Sequence, residues 1–383
     1  YIDLPAIYEI RVWFGKRFYQ KQAAVLSVTV NPMETMLDVS ATSVTIEYLE
    51  NYTFTFRYID IVEGRNITDA EAIFVIYYGE QIILQGNMLL NVTGENYYFT
   101  FNTTQIINES WPKLGAYTIY VKFSRLFYET REKYISVTVK PRVTVITVSE
   151  KSVELEYSEK HMFRFWYCDA KTGEVLIDAY ANYTIMFGDW TKSGLLLYSP
   201  IGYYFLIFNS TSIVDEAGLL GTYVIYVMFN KTFYESKTVV VSATVIAIRT
   251  IAYAQPEEIN VTWGYAPYIE VMYNMSKNGT FITGASYNMT VVSAPPMGYG
   301  PGAFIFDNTT IPYILRINGS LLYIGTYILN ITLSKRFHEP RIVMVKINVK
   351  PIPTYLVFSQ TSAIAEYGEI VEFYAWYKVY GTG

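Results

Sequence analysis

The chain has 383 residues, enough for two to four ordinary domains, and its formal charge of −5 comes without a basic block. That balance excludes the clustered Lys/Arg footprint of a nucleic-acid partner. Aromatic residues make up 17 %, with 38 tyrosines, while charged residues are only 16 %, against about 25 % in ordinary soluble domains.

Tyr, Thr, Val and Ile suit a half-buried pleated surface, so the composition predicts an all-β protein. A single cysteine, Cys168, rules out an intrachain disulfide. It sits in the apolar run Phe165-Trp166-Tyr167-Cys168 and reads as a small buried hydrophobe. His161 and His338 are too isolated for a histidine-based metal site. No apolar run reaches the roughly 18 residues that span a membrane. The first residues already belong to a strand pattern, so a secretion signal or anchor is expected outside this sequence.

Taken along the chain, one element recurs. Residues 8–18, 117–127, 223–233 and 327–337 read alike, each opening on tyrosine (Tyr8, Tyr117, Tyr223, Tyr327) and closing on phenylalanine (Phe18, Phe127, Phe233, Phe337). A second β run follows each. The leading tyrosines stand 109, 106 and 104 residues apart. A second landmark lies at Tyr58, Tyr167, Tyr273 and Tyr377. From each first landmark to the next second one the count is always 50, whereas the remainder of the unit varies as 59, 56 and 54. A flexible tether tolerates length changes at little entropic cost. A constant crossing therefore predicts packed, defined geometry between neighbours. Prolines Pro32, Pro141 and Pro351 stiffen three of the four crossings.

The repeat divides the chain into 1–31, 32–140, 141–246, 247–350 and 351–383. In 141–246 short runs at 143–148, 153–157, 162–168, 183–187, 203–208, 223–229 and 239–245 suggest seven strands with no sustained helical period. That is the pattern of an immunoglobulin-like sandwich. The fold expected is therefore all-β, with tandem seven-stranded immunoglobulin-like β-sandwiches in an elongated array. Tyr117, Tyr223 and Tyr327 stand two residues before Ile119, Ile225 and Leu329, where a tyrosine corner precedes the inward site of the sixth strand. Trp166 and Trp376 stand where such domains often bury a third-strand tryptophan. Short links at Gly15-Lys16, Ser124-Arg125, Asn230-Lys231 and Ser334-Lys335 read as tight hairpins with a recurrent basic residue. That residue is either solvated or in contact with an acidic neighbour in the next repeat.

Asn-X-Ser/Thr occurs at Asn51, Asn66, Asn91, Asn102, Asn108, Asn182, Asn209, Asn230, Asn260, Asn274, Asn278, Asn288, Asn308, Asn318 and Asn330, which is 15 of 19 asparagines. Chance would place about three. Asn102, Asn209 and Asn308 are expected at one shared place, after an aromatic strand. A coat of covalent N-glycans would solubilise a charge-poor surface and blunt exposed sheet edges. It places the chain outside the cell, at the cell surface. Sequons this dense with no disulfides resemble the S-layer and other surface glycoproteins of thermophilic archaea. The resemblance covers the whole chain, rests on architecture and sequon density, and implies self-assembly.

No nucleophile–histidine set, zinc spacing, phosphate-binding glycine loop or EF-hand is present, and no catalytic residue, cofactor or metal is expected. The carboxylate pairs Asp215-Glu216 and Glu257-Glu258 do not recur between units. Asp60, Glu63, Asp69 and Glu71 are the densest acidic cluster, weighed as a calcium site against a solvated loop. The segment 295–302 reads as an exposed loop or a contact to another chain. Residues 1–31 carry only the last two strands of a unit and 351–383 only the first three. The expectation is a portion of a longer repeat protein. The other reading has the fragments completing each other between subunits, short of the middle strands. The expected function is structural: an S-layer or extracellular filament subunit assembling with itself, not an enzyme. The alternatives are an adhesin stalk carrying a binding head, and accessory repeats of a secreted enzyme.

Overall fold

The computed structural model describes residues 5–108, 111 and 113–380. Alternation of inward and outward residues runs along the ten-residue strands. In Lys160–Asp169 the inward positions Phe163, Phe165 and Tyr167 are fully buried. They face Ile225, Val227 and Phe229 of Gly221–Asn230, also fully buried. Each such side chain contributes about 1.5–3 kcal/mol by leaving water. Tyr167 and Phe229 stack with centroids 5.2 Å apart. An aromatic and aliphatic core thus stands where antibody domains place a disulfide.

The second sandwich shows the topology. A four-stranded sheet runs Thr144–Val148, Lys160–Asp169, Tyr203–Asn209, Leu197–Ser199. The facing sheet runs Ser152–Glu156, Lys237–Ile246, Gly221–Asn230, Tyr180–Phe187, Trp190–Leu195. The first strand is split: Thr144–Val148 pairs antiparallel with Lys160–Asp169, then Ser152–Glu156 crosses over and pairs parallel with the last strand. The first sandwich repeats this four-plus-five order and the third has four plus four. Each sandwich holds its own core cluster.

All seven expected runs of the second sandwich are strands, and the structure adds Trp190–Leu195 and Leu197–Ser199. Residues 190–199 form the edges of both sheets, and the half-buried positions of Trp190–Leu195 are Trp190, Lys192 and Gly194, so the sequence shows no apolar alternation there. A further difference is the helix Ser210–Ala217, ended by Gly218 at φ 82°. One turn is matched in the first sandwich by Thr103–Ile106. The tyrosine corners are present. Tyr117 and Tyr223 donate to Lys113 O and Leu219 O at 2.5 Å, and Tyr327 to Tyr323 O at 3.1 Å. Burial pushes the Tyr117 phenol up to about 12. Gly221, just before Tyr223, has φ 144° and backs onto Phe187, whose ring would lie 2.8 Å from an added Cβ.

Two expectations need correction. Trp166 lies outside the core, half-buried against Tyr203 at 5.9 Å. The split first strand makes its strand the second of the fold, and Tyr167 takes the inward place. Trp376 stands in the same register, opposite Val357 as Trp166 stands opposite Thr147. The hairpin links are also longer than two residues: Gly115–Ser124 and Arg131–Lys140 are joined by residues 125–130. Positive φ falls on Phe18, Phe127, Phe233 and Phe337 (75°, 73°, 69° and 62°), not on the first link residue.

Candidate functional site at the joints between sandwiches

The fixed crossing has a direct structural cause. Lys140 closes the last strand of the first sandwich, and its carbonyl accepts Tyr48 N–H at 3.0 Å. Arg142 is already bound into the second, its N–H donating to Phe233 O at 2.9 Å and its carbonyl accepting Glu235 N–H at 2.9 Å. Only Pro141 lies between. The next joint is the same: Ile246 O accepts Tyr157 N–H, Ile248 N–H donates to Phe337 O, and Ala247 alone intervenes. One added residue would break a bonded pair on one side or the other.

The hairpin carrying Phe233 is held rigidly at its tip. Tyr167 Oη and Thr144 Oγ1 both donate to Glu235 O, at 2.7 and 2.9 Å. Tyr58 and Thr35 do the same to Glu129 O at 2.5 and 2.9 Å, and Tyr273 and Thr250 to Glu339 O at 2.6 and 2.8 Å. The second-landmark tyrosines are therefore tip clamps, and burial raises the pKa of each of these three phenols. The clamped tip presents its phenylalanine to the preceding sandwich. Phe233 packs on Tyr48 at 4.7 Å and joins the first core, and Phe337 packs on Tyr157 at 4.6 Å and joins the second.

Charge surrounds each aromatic contact. Buried Arg142 bonds Asp169 at 2.7 Å through Nε and points Nη1 at Glu47 and Glu50 of the first sandwich, 4.0 and 3.9 Å away. Lys171 Nζ reaches Glu47 at 3.3 Å and also pairs with Glu50. The Lys171 bond holds the Glu50 carboxyl below its ordinary range. Burial pushes Asp169 up, but Arg142 and the amides of Lys171 and Thr172 outweigh it and leave the group low. The Asp169 bond in turn raises Arg142. At the second joint Arg249 meets Glu154 and Glu156 at 3.4 and 3.9 Å, and Lys277 pairs with Glu159, lowering it. There Ile248 and Met275 occupy the places of Arg142 and Asp169, an apolar pair for an ionic one.

These inter-sandwich carboxylates went unread in the sequence. Their signal is Glu-Tyr-x-Glu at 47–50 and 156–159, recurring at 366–369. The recurrent basic residues stay within their own sandwich. Arg125 pairs with Asp69 at 2.8 Å, Lys335 donates to Thr283 O at 2.8 Å, and Lys231 bonds Ile177 O. The acidic cluster of the first sandwich does not converge. Asp60 Oδ1 caps Val62 and Glu63 N–H, Glu63 pairs with Arg65, and Asp69 is held by Arg125. Glu71 accepts from Ser124 at 3.5 Å. No acidic or histidine cluster able to hold a metal exists among the described residues. Asp215 accepts from Tyr157, Glu216 pairs with Lys192, and Glu258 with Lys346. Burial raises the Cys168 thiol.

None of the fifteen sequon asparagines is buried. Residues 109–110 of the Asn108 sequon lie outside the described residues, as do 1–4 and 381–383 of the end segments. Asn102, Asn209 and Asn318 share one place, each the residue before a helical turn. Asn318, following Tyr313–Ile317, is thus the third member of that set, and Asn308 follows the neighbouring edge strand Phe304–Asp307 instead. Segment 295–302 is partly pinned, with Gly298 O accepting from Tyr327, and Pro295 and Pro296 line a groove beside Trp263 and Pro351.

No family model matches the chain, and no curated protein matches it in sequence. Among solved structures it is similar to a tetra-tandem repeat from the extending region of a large adhesion protein. That match has 9 % identity over 91 % of this chain and 82 % of that one, with a TM-score of 0.34. Domains 4–9 of the surface layer protein SbsC align at 13 % identity, 90 % and 54 % coverage and TM-score 0.27. Dpr2 Ig1-Ig2 in complex with DIP-Theta Ig1-Ig3 aligns at 9 %, 82 % and 100 %, and 0.26. The immunoglobulin-like assignment rests on the sheets and tyrosine corners. No helix among the described residues is long and apolar enough to cross a membrane.

Proposed function

We propose that this chain is a structural glycoprotein of the cell surface, an S-layer or extracellular filament subunit whose immunoglobulin-like units stack through rigid joints. The units are 32–140, 141–246 and 247–350, with partial units at 1–31 and 351–383. The single observation that carries the reading is the joint, where one residue separates backbone bonded into one sandwich from backbone bonded into the next. Chains selected to hold a repeat distance need such joints, whereas a tether does not. The accessible sequons support a covalent N-glycan coat, and with it an extracellular site. No catalytic role is assigned.

Electron microscopy of the purified chain tests the assembly, and glycopeptide mass spectrometry of the native protein tests the coat. Periodic arrays and occupied Asn102, Asn209 and Asn318 are expected. Dispersed rods would point to a stalk, and unmodified asparagines throughout would remove the glycoprotein reading.

A further inference from the structure

We propose that the first sugars of an N-glycan on Asn308 take the place of an edge strand and cover the open side of the third sandwich's core. This deepens the glycoprotein reading above and rests on it.

The opening shows when the three sandwiches are compared at one register. In the first, Gln81–Asn87 flanks Glu71–Tyr78, and in the second Trp190–Leu195 flanks Tyr180–Phe187. The counterpart in the third, Ser286–Ser293, pairs with Gly325–Ser334 on one side and ends the sheet on the other. Its inward residues follow from their partners. Tyr287 lies opposite Leu333, as Ala72 lies opposite Phe123 and Ala181 opposite Phe229. Ala72 and Ala181 are buried, whereas Tyr287 is 42 % exposed. Val291 is half-buried where Ile76 and Ile185 are buried.

Asn308 stands across this gap, in the other sheet's edge. It falls opposite Tyr313, the place that Leu90 holds opposite Tyr97 and Tyr198 opposite Tyr204. Leu90 packs on the first core, and Tyr198 lies 5.0 Å from the Tyr204 ring. An asparagine thus replaces an apolar side chain, and its Nδ2 donates at 3.0 Å to the carbonyl of Ala285, two residues before Tyr287. Glycosylation replaces one of the two Nδ2 hydrogens and leaves the other for that bond. The sugar then starts within reach of the Tyr287 ring, which packs on Phe306 at 4.7 Å. A pyranose has an apolar face of C–H groups, which the negative π-face of a phenol ring attracts. Its hydroxyls can meet the unpaired N–H and C=O groups of the sheet edge. Apolar contact inward and hydrogen bonds along the edge are what the fifth strand supplies in the other two sandwiches.

The test compares the full chain made with and without N-glycosylation, each carrying Asn308 or Asn308→Gln. In the glycosylated chain Asn308→Gln should lower the calorimetric transition of the third sandwich by about 4 °C or more. In the unglycosylated chain the same substitution reports only the lost amide bond, and its shift should be clearly smaller. Nitration by tetranitromethane, read by peptide mapping, should modify Tyr287 in the unglycosylated chain and spare it in the glycosylated one. Equal shifts in the two backgrounds, or an unmodified Asn308 in a chain glycosylated at other sequons, would overturn the cover and leave the coat standing. Protection of Tyr287 that persists without glycan and grows with protein concentration would overturn it too, giving the edge to a second copy. No glycan on any asparagine would overturn both.

Discussion

The ring of Phe233 lies 4.7 Å from that of Tyr48, although the two belong to different sandwiches. One sandwich thus finishes the core edge of another, and the pair Phe337–Tyr157 repeats it at 4.6 Å. Phe233→Ala is expected to destabilise the first sandwich, although Phe233 belongs to the second, by about 1–2 kcal/mol from lost burial and ring contact. Differential scanning calorimetry should show the transition of the first sandwich moving while that of the third stays in place.

The Arg142–Asp169 pair makes a sharper prediction. Arg142→Ala leaves Asp169 buried beside two amide donors but without its cation, at a cost of about 3 kcal/mol. The third sandwich supplies the remedy, since Ile248 and Met275 fill the same two places. The double variant Arg142→Ile/Asp169→Met should regain most of the loss in chemical denaturation, as apolar replacements of buried ion pairs often do. A double variant no more stable than Arg142→Ala would show that the pair is not an isolated unit.

Acid should loosen the joints over a definite range. Glu50, Glu159 and Asp169 are held low in the folded chain by Lys171, Lys277 and, against burial, Arg142. A carboxyl with a depressed folded pKa contributes stability that is fully present above its unfolded value, near 4, and lost as pH falls through the folded value. Melting temperature should therefore be flat in these terms from pH 5 to 8 and fall below about pH 4. The Arg142→Ile/Asp169→Met variant should show a shallower acid slope.

The hydroxyl clamp gives a third mutational test. Tyr167→Phe removes one of two donors to Glu235 O and leaves Thr144 in place. It should cost about 1 kcal/mol. Adding Thr144→Val leaves that carbonyl without either hydroxyl, and the pair should lose more than the sum of the singles.

Much of this was legible in the sequence, because repetition converts weak local signals into strong ones. The tyrosine corners and the constant crossing follow from counting Tyr117, Tyr223 and Tyr327 against Tyr167, Tyr273 and Tyr377. The edge strand Trp190–Leu195 was not legible, since its half-buried positions are Trp190, Lys192 and Gly194, which give the sequence no apolar alternation. The helix Ser210–Ala217 is shorter than the window in which helical period can be read. At the joints the partners of Glu47 and Glu50 lie about a hundred residues away, at Arg142 and Lys171. Only the topology brings them together. Asn318 was hidden for a related reason, because the third sandwich is shorter between the helical turn and its tyrosine corner: Asn318 stands 9 residues before Tyr327, against 15 from Asn102 to Tyr117 and 14 from Asn209 to Tyr223.

The central claim is that one residue per joint holds neighbouring sandwiches in a single orientation. Its most direct test is a distance distribution by double electron–electron resonance, with spin labels at exposed Gln81 and Asp189 in a Cys168→Ser background. The account predicts one narrow peak, broadened when two glycines are inserted after Pro141. A broad distribution in the uninserted chain, or one unchanged by the insertion, would contradict it.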